Sequence, residues 1–148
     1  MNRMLLLFVV GCLLICPGAS AGEDAERDAI TKAALDYAEG WYAGDAERME
    51  GCLHPELAKR TMMTDPKTGR SRLEQMGAMR LVQYTRAGYG KNTPIEKQLR
   101  DVEILDVFGD VASVRVEMAG WIDYMHLAKY DGRWVIVNVL WQMKPEGN

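Results

Sequence analysis

Trp121-Ile-Asp-Tyr-Met-His-Leu-Ala-Lys-Tyr-Asp-Gly-Arg-Trp-Val-Ile-Val-Asn-Val-Leu-Trp141 is the stretch on which the fold turns. Two runs rich in β-branched and aromatic residues flank Asp131-Gly132, and an Asp-Gly pair in that setting favours a two-residue hairpin. Tyr130 then pairs with Arg133. Counting back puts Met125 opposite Asn138, Asp123 opposite Leu140 and His126 opposite Val137. Opposite residues share a face and neighbours along a strand do not. One face is therefore expected to hold Trp121, Asp123, Met125, Leu127, Trp134, Ile136, Asn138 and Leu140. Its apolar bulk and two polar side chains, Asp123 and Asn138, fit a ligand cavity. The other face, with Ile122, Tyr124, His126, Ala128, Val135, Val137, Val139 and Trp141, is too apolar for open water and suggests a dimer contact. A regular strand also keeps Asp123 and His126 on opposite sides, so they form no catalytic dyad.

Working outward, the period of two predicts strands at about 99–108, 111–118, 121–130 and 133–142. Gly109-Asp110, Ala119-Gly120 and Asp131-Gly132 are the turns between them. Upstream the period changes. Ile30, Ala34, Tyr37 and Trp41 recur at steps of four, three and four, the stripe of an amphipathic helix over Glu23 to Ala43. Gly44 stops it, and Asp45 caps a second short helix carrying Met49 and Leu53. His54-Pro55 is expected to open a third short helical segment through Lys59. Asp65-Pro66-Lys67-Thr68-Gly69 reads as a loop, and Ser71-Arg72-Leu73-Glu74 as a capping box opening a helix to Arg86. Residues 89–97 form a connection. Helices first and a meander afterwards predict an α+β fold, with N-terminal helices packed on a curved antiparallel sheet.

The first 21 of the 148 residues have the layout of a cleavable signal peptide: Arg3, an apolar run from Met4 to Cys16, and the small residues Ala19-Ser20-Ala21. This run is too short for a membrane span. Val9-Val10-Gly11-Cys12 resembles a lipid-attachment box, but the apolar stretch continues past Cys12, which favours cleavage before Gly22 and export to the periplasm or medium over a lipid anchor. Residues 22–148 then make one domain. The formal charge of −3, one unit more acidic without Arg3, and the lack of any basic run longer than two residues argue against nucleic-acid binding. Cys52 is left without a partner once the leader is gone. The two histidines, His54 and His126, lie in no metal-binding pattern, and no nucleotide-binding or serine-hydrolase motif occurs. No cofactor or metal is expected.

Tyr37-Ala-Glu-Gly-Trp-Tyr-Ala-Gly-Asp45, Cys52-Leu-His-Pro-Glu56, Trp121-Ile-Asp-Tyr-Met-His-Leu127 and Asp131-Gly-Arg-Trp134, in that order and spacing, resemble the nuclear transport factor 2-like superfamily. The likeness covers nearly all of residues 25–143. It is greatest to the putative lumazine-binding branch, a relative of the SnoaL-like polyketide-cyclase and ketosteroid-isomerase groups. The resemblance implies a cone-shaped α+β barrel enclosing a pocket, and a homodimer formed through the sheet. By comparison with ketosteroid isomerase, Tyr37 matches the tyrosine and Asp123 the acid that hold a substrate oxygen. That family's general base has no counterpart, since its place falls near Thr61. Asp65 would serve only with a different loop length.

These readings converge on an exported protein that holds a small, partly apolar organic molecule in the cone. Tyr37, Asp123 and Asn138 supply polar contacts, and Trp41, Trp121 and Met125 supply walls. A buried Asp123 has to be protonated or paired. His54 either caps the backbone or lies near the cone mouth as a ligand contact. The alternative is an isomerase, dehydratase or cyclase in which Tyr37 and Asp123 hold a carbonyl oxygen and His54 or Asp65 moves a proton. Met62, Met63, Met76 and Met79 are further candidates for an adaptable lining. Lys59-Arg60 reads as a solvated pair.

Overall fold

The computed structural model describes residues 18–145; the predicted leader as far as Pro17, with Cys12 and Cys16, lies outside them. The first helix, α1, spans Gly18–Ala43 and so includes Gly18 to Ala21, which the sequence pattern assigns to the leader. It buries Ile30, Ala33, Ala34, Tyr37 and Ala38 on one face. Three alanines in that stripe let the backbone lie close to the sheet around Tyr37, which is itself almost wholly buried. Gly44, at φ 67°, ends the helix in the left-handed conformation that glycine adopts without strain. Asp45 caps α2 (Ala46–Cys52), its carboxylate accepting the Arg48 amide at 3.0 Å.

The chain departs from two helical expectations here. Residues 53–59 are extended: β1 runs Leu53–Thr64, with Leu53, Leu57, Lys59 and Thr61 buried on one side. Its ladder to β6 breaks between Leu53 and Ala58. Pro55, which has no N–H to give, falls in that gap. Ser71–Met76 is likewise a strand, β2, paired antiparallel with β1 across the Asp65–Gly69 turn. The Ser71 hydroxyl lies 3.2 Å from that of Thr64 instead of capping a helix. Cross-strand pairing thus overrides the local capping pattern. Helix α3 starts only after Gly77, at Ala78–Arg86, and two 3-10 turns, Tyr89–Asn92 and Ile95–Lys97, complete the connection.

The remaining strands are where the period of two predicts them: β3 (Arg100–Phe108), β4 (Val111–Met118), β5 (Trp121–Tyr130) and β6 (Arg133–Met143). They form one six-stranded sheet in the order β2-β1-β6-β5-β4-β3. All neighbours are antiparallel except β1 and β6. Among the described residues three α-helices pack on this curved sheet and β2 and β3 are its unpaired edges, so the cone is not a closed barrel.

One irregularity in the final hairpin matters more than any other. Asp131 and Gly132 both have positive φ, and the register begins as expected with Tyr130 opposite Arg133. Beyond Leu127–Ile136 it shifts: His126 opposes Asn138, Tyr124 opposes Leu140, and Asp123 opposes Trp141. Val137 is the extra residue of a β-bulge, and every side chain after it changes face. Val139 and Trp141 turn inward, while Asn138 and Leu140 turn outward. The core therefore lies between α1 and the inner face, where Val114, Val116, Met118, Met125, Leu127, Ile136 and Val139 are almost wholly buried.

Candidate functional site

A cavity of about 750 Å³ opens between α1, α3, the 89–99 connection and the inner sheet face. Trp41, Trp121 and Trp141 form one continuous aromatic wall. Trp41 and Trp121 meet edge to face at 5.9 Å between ring centroids, and Trp121 and Trp141 at 6.3 Å. Met76, Leu81, Tyr84 and Leu99 supply further apolar lining, and Asn92, Thr93, Pro94 and Lys97 come from the 3-10 turns and the link between them. Two contacts hold this end of the cone open. The Tyr42 hydroxyl donates to the Leu99 carbonyl and accepts the Ala119 amide, both at 2.9 Å. Gly90 is pressed so closely on the backbone of Trp41 that an added Cβ would lie 2.0 Å from the Trp41 carbonyl oxygen.

The polar end of the cavity is built around Lys59. Its ammonium donates to the Tyr37 hydroxyl at 2.8 Å and to Asp123 Oδ1 at 2.5 Å. It also lies 5.0 Å from the centroid of the Trp141 ring and 5.5 Å from that of Tyr37. The second carboxylate oxygen, Asp123 Oδ2, accepts the Trp121 indole N–H at 2.8 Å. Asp123 is fully buried and sits behind Lys59, while Lys59 and Tyr37 reach the cavity surface. An ammonium has three N–H donors, and two are committed here, which leaves one without a hydrogen-bond acceptor in the protein. Burial holds the Lys59 ammonium below the usual lysine range, against the pull of Asp123. Burial, and after it the negative charge of Asp123, push the Tyr37 phenol well above its ordinary value. Tyr37 therefore remains protonated at any physiological pH.

Several expected site residues come together and others do not. Tyr37, Trp41, Trp121 and Asp123 converge, although Asp123 acts on the cavity through Lys59. Met125 is buried core and does not line the cavity. Asn138 is carried to the outer face by the Val137 bulge, where it bonds Arg60 at 3.4 Å and His126 at 3.3 Å. His54 accepts the Glu56 amide on Nδ1 at 3.1 Å and packs edge-on against Tyr130, away from the cavity lining. Asp65 accepts two backbone amides of the exposed β1–β2 turn. Among the candidate methionines only Met76 reaches the cavity; Met62, Met63 and Met79 are exposed. Both oxygens of Asp123 are acceptors here, so the arrangement in which it donates to a substrate oxygen beside Tyr37 is not the one present.

Lys59 and Trp141 are the residues that sequence reasoning missed. The usable signal for Lys59 was its step of two from Leu57 and to Thr61, visible once 53–64 is taken as a strand. For Trp141 it was hidden behind the bulge. Cys52 is buried, its thiol donates to the Met49 carbonyl, and burial pushes it up to about 12. It has the character of an inert core thiol. Among the described residues no cluster of His, Cys, Asp and Glu could hold a metal ion, and no helix is long and apolar enough to cross a membrane.

Residues 25–142 match the family described as Putative lumazine-binding. The chain belongs to the putative lumazine-binding family. Its fold is that of the nuclear transport factor 2-like superfamily. An NTF2-like protein of unknown function from Shewanella baltica superposes with a TM-score of 0.65 at 20% identity, covering 83% of this chain and 97% of that one. A second, from Silicibacter pomeroyi, gives 0.63 at 17% identity, covering 82% and 98%. A ketosteroid isomerase-like protein from Erwinia carotovora gives 0.53 at 17% identity, covering 81% and 98%. At these identities the likeness is one of fold. Comparison with curated proteins gives no match.

Proposed function

We propose that this member of the putative lumazine-binding family is a small-molecule-binding protein whose ligand lies in the tryptophan-walled cavity, with an acceptor atom on Lys59 and Tyr37. The observation that carries the reading is the Lys59 ammonium, buried at the floor of a mostly apolar cavity with one donor uncommitted. A cation and its counter-ion are costly to bury in a pure packing core. The cavity volume also falls within the roughly 300–1,000 Å³ usual for small-molecule sites. The ligand is flat and mostly apolar, with a carbonyl or similar acceptor at one end. The heterocycle in the family's description shares the flat ring and the carbonyl acceptors, but it is more polar than this lining.

The test is a titration with 2-naphthamide, a flat ring carrying an amide carbonyl, read by tryptophan fluorescence. Three of the four tryptophans line the cavity, so saturable quenching is expected. It should weaken in Trp141→Ala. Quenching that never saturates, or that is indifferent to Trp141, would remove the reading.

The outer face carries Met62, Leu73, Tyr124 and Leu140 on adjacent strands, each about half exposed in the single chain, which supports a homodimer through the sheet. Sedimentation of the protein and of Leu140→Glu tests it, a dimer that becomes monomeric being expected. The Arg3, apolar-run and Ala19-Ser20-Ala21 pattern supports export with cleavage before Gly22. N-terminal sequencing of the secreted or periplasmic protein tests that.

A further inference from the structure

We propose that Lys59 captures an aldehyde or ketone ligand covalently, as a protonated Schiff base. This rests on the reading of the tryptophan-walled cavity as the ligand site and adds a reaction to it. A lysine amine condenses with a carbonyl when it is held in an apolar pocket beside groups that can move its protons. Lys59 meets each requirement. Its side chain is only 6% exposed, and it reaches the cavity surface among aromatic walls. Asp123 Oδ1 lies 2.5 Å from Nζ, close enough to take a proton from the ammonium, and the Tyr37 hydroxyl lies 2.8 Å away on another side.

The steps balance without any oxidant or reductant. Lys59 passes one proton to Asp123 and becomes a free amine. Its nitrogen lone pair forms a bond to the ligand's carbonyl carbon, and the C=O π pair moves onto oxygen. Tyr37 relays an N–H proton to that oxygen, giving a neutral carbinolamine. The proton held on Asp123 then goes to the carbinolamine hydroxyl, which leaves as water while the nitrogen lone pair forms C=N. The sum is lysinium plus carbonyl giving iminium plus water. The positive charge stays where the ammonium was, opposite the Asp123 carboxylate, so the buried ion pair survives the reaction. The raised Tyr37 phenol stays protonated and able to serve as the relay. Dry walls also slow the return of water that would hydrolyse the adduct.

The experiment uses the full chain, 2-naphthaldehyde as probe and sodium cyanoborohydride to fix any Schiff base, with the modified lysine located by peptide mass mapping. The expected result is one adduct per chain at Lys59, formed before any on the exposed Lys67 and Lys91, and suppressed by excess 2-naphthamide. Lys59→Arg keeps the charge and should lose that adduct. Tyr37→Phe should form it more slowly. Mapping of the unsubstituted protein decides the matter even where a variant folds poorly. If 2-naphthaldehyde quenches the cavity tryptophans saturably while only exposed lysines are modified, the covalent step is overturned and the binding reading stands. If it neither quenches nor labels Lys59, both fall.

Discussion

Replacing Lys59 by methionine keeps most of the length of the side chain and removes its charge. The pair it breaks is buried on both sides, with side-chain exposures of 6% for Lys59 and 0% for Asp123. An exposed pair would contribute about 0–1 kcal/mol. Removing one partner of a buried pair costs about 3–5 kcal/mol, because the other charge is left without compensation. The Trp121 indole N–H still reaches Asp123 Oδ2, but a single neutral donor does not replace an ammonium at 2.5 Å. At about 4 °C per kcal/mol for a domain of this size, the melting midpoint should fall by about 12–20 °C. The assay is urea unfolding at pH 7 followed by far-ultraviolet circular dichroism. Lys59→Met/Asp123→Asn supplies the control: it removes both charges and keeps an acceptor for Trp121, so it should recover most of the loss. A loss below about 1 kcal/mol in the single variant, the range of solvated pairs, would refute the buried pairing. So would a double variant as unstable as the single one.

Other perturbations separate the cavity from the rest of the fold. Gly90→Ala should cost about 1–3 kcal/mol or more by overpacking, since the obstacle is the Trp41 backbone and cannot swing aside. Thermal melting measures it, and an unchanged midpoint would contradict the close packing of that turn on α1. Asn138→Ala should leave 2-naphthamide affinity unchanged and cost no more than about 1 kcal/mol, because it loses only two long hydrogen bonds on the outer face. Burial raises the folded Cys52 thiol from 9.0 to about 12, so the unfolded chain loses that proton first. Stability should therefore fall as pH rises through that window, and Cys52→Ala should flatten the decline in urea midpoints. Tyr37 has the same sign. Its phenol is raised above 10.0, so its contribution is full below that pH and is lost above it, a slope that Tyr37→Phe should remove.

Most of the sheet was legible because β3 to β6 carry the alternation in their own residues and sit between unambiguous turns. The stripe of α1 was legible for the same reason, and it turns Tyr37 and Trp41 toward the sheet, as the spacing predicts. What local pattern could not supply was pairing at a distance. Ser71-Arg72-Leu73-Glu74 satisfies a helix-capping rule, yet its backbone groups are taken by β1, and only the partner strand decides between the two. Pro55 suits a helix start equally well as a break in the β1–β6 ladder. The bulge at Val137 leaves no signature in the sequence, and a register counted from the turn is right only up to Ile136. That single extra residue moved Asn138 out of the site and Trp141 into it. Of the two states open to a buried Asp123, protonated or paired, the fold supplies a partner, Lys59, which lay in a segment expected to be helical and solvated.

The proposed ligand enters the cavity with an acceptor that reaches Lys59 and Tyr37. A crystal structure of the protein soaked with 2-naphthamide tests this most directly, since the amide cannot form a Schiff base and reports binding alone. The predicted density places the ring against Trp41, Trp121 and Trp141 and the carbonyl oxygen within hydrogen-bonding distance of Lys59 Nζ or Tyr37 Oη. Density for the ring with its carbonyl turned to the cavity mouth, or a probe bound elsewhere while the cavity holds only water, would contradict it.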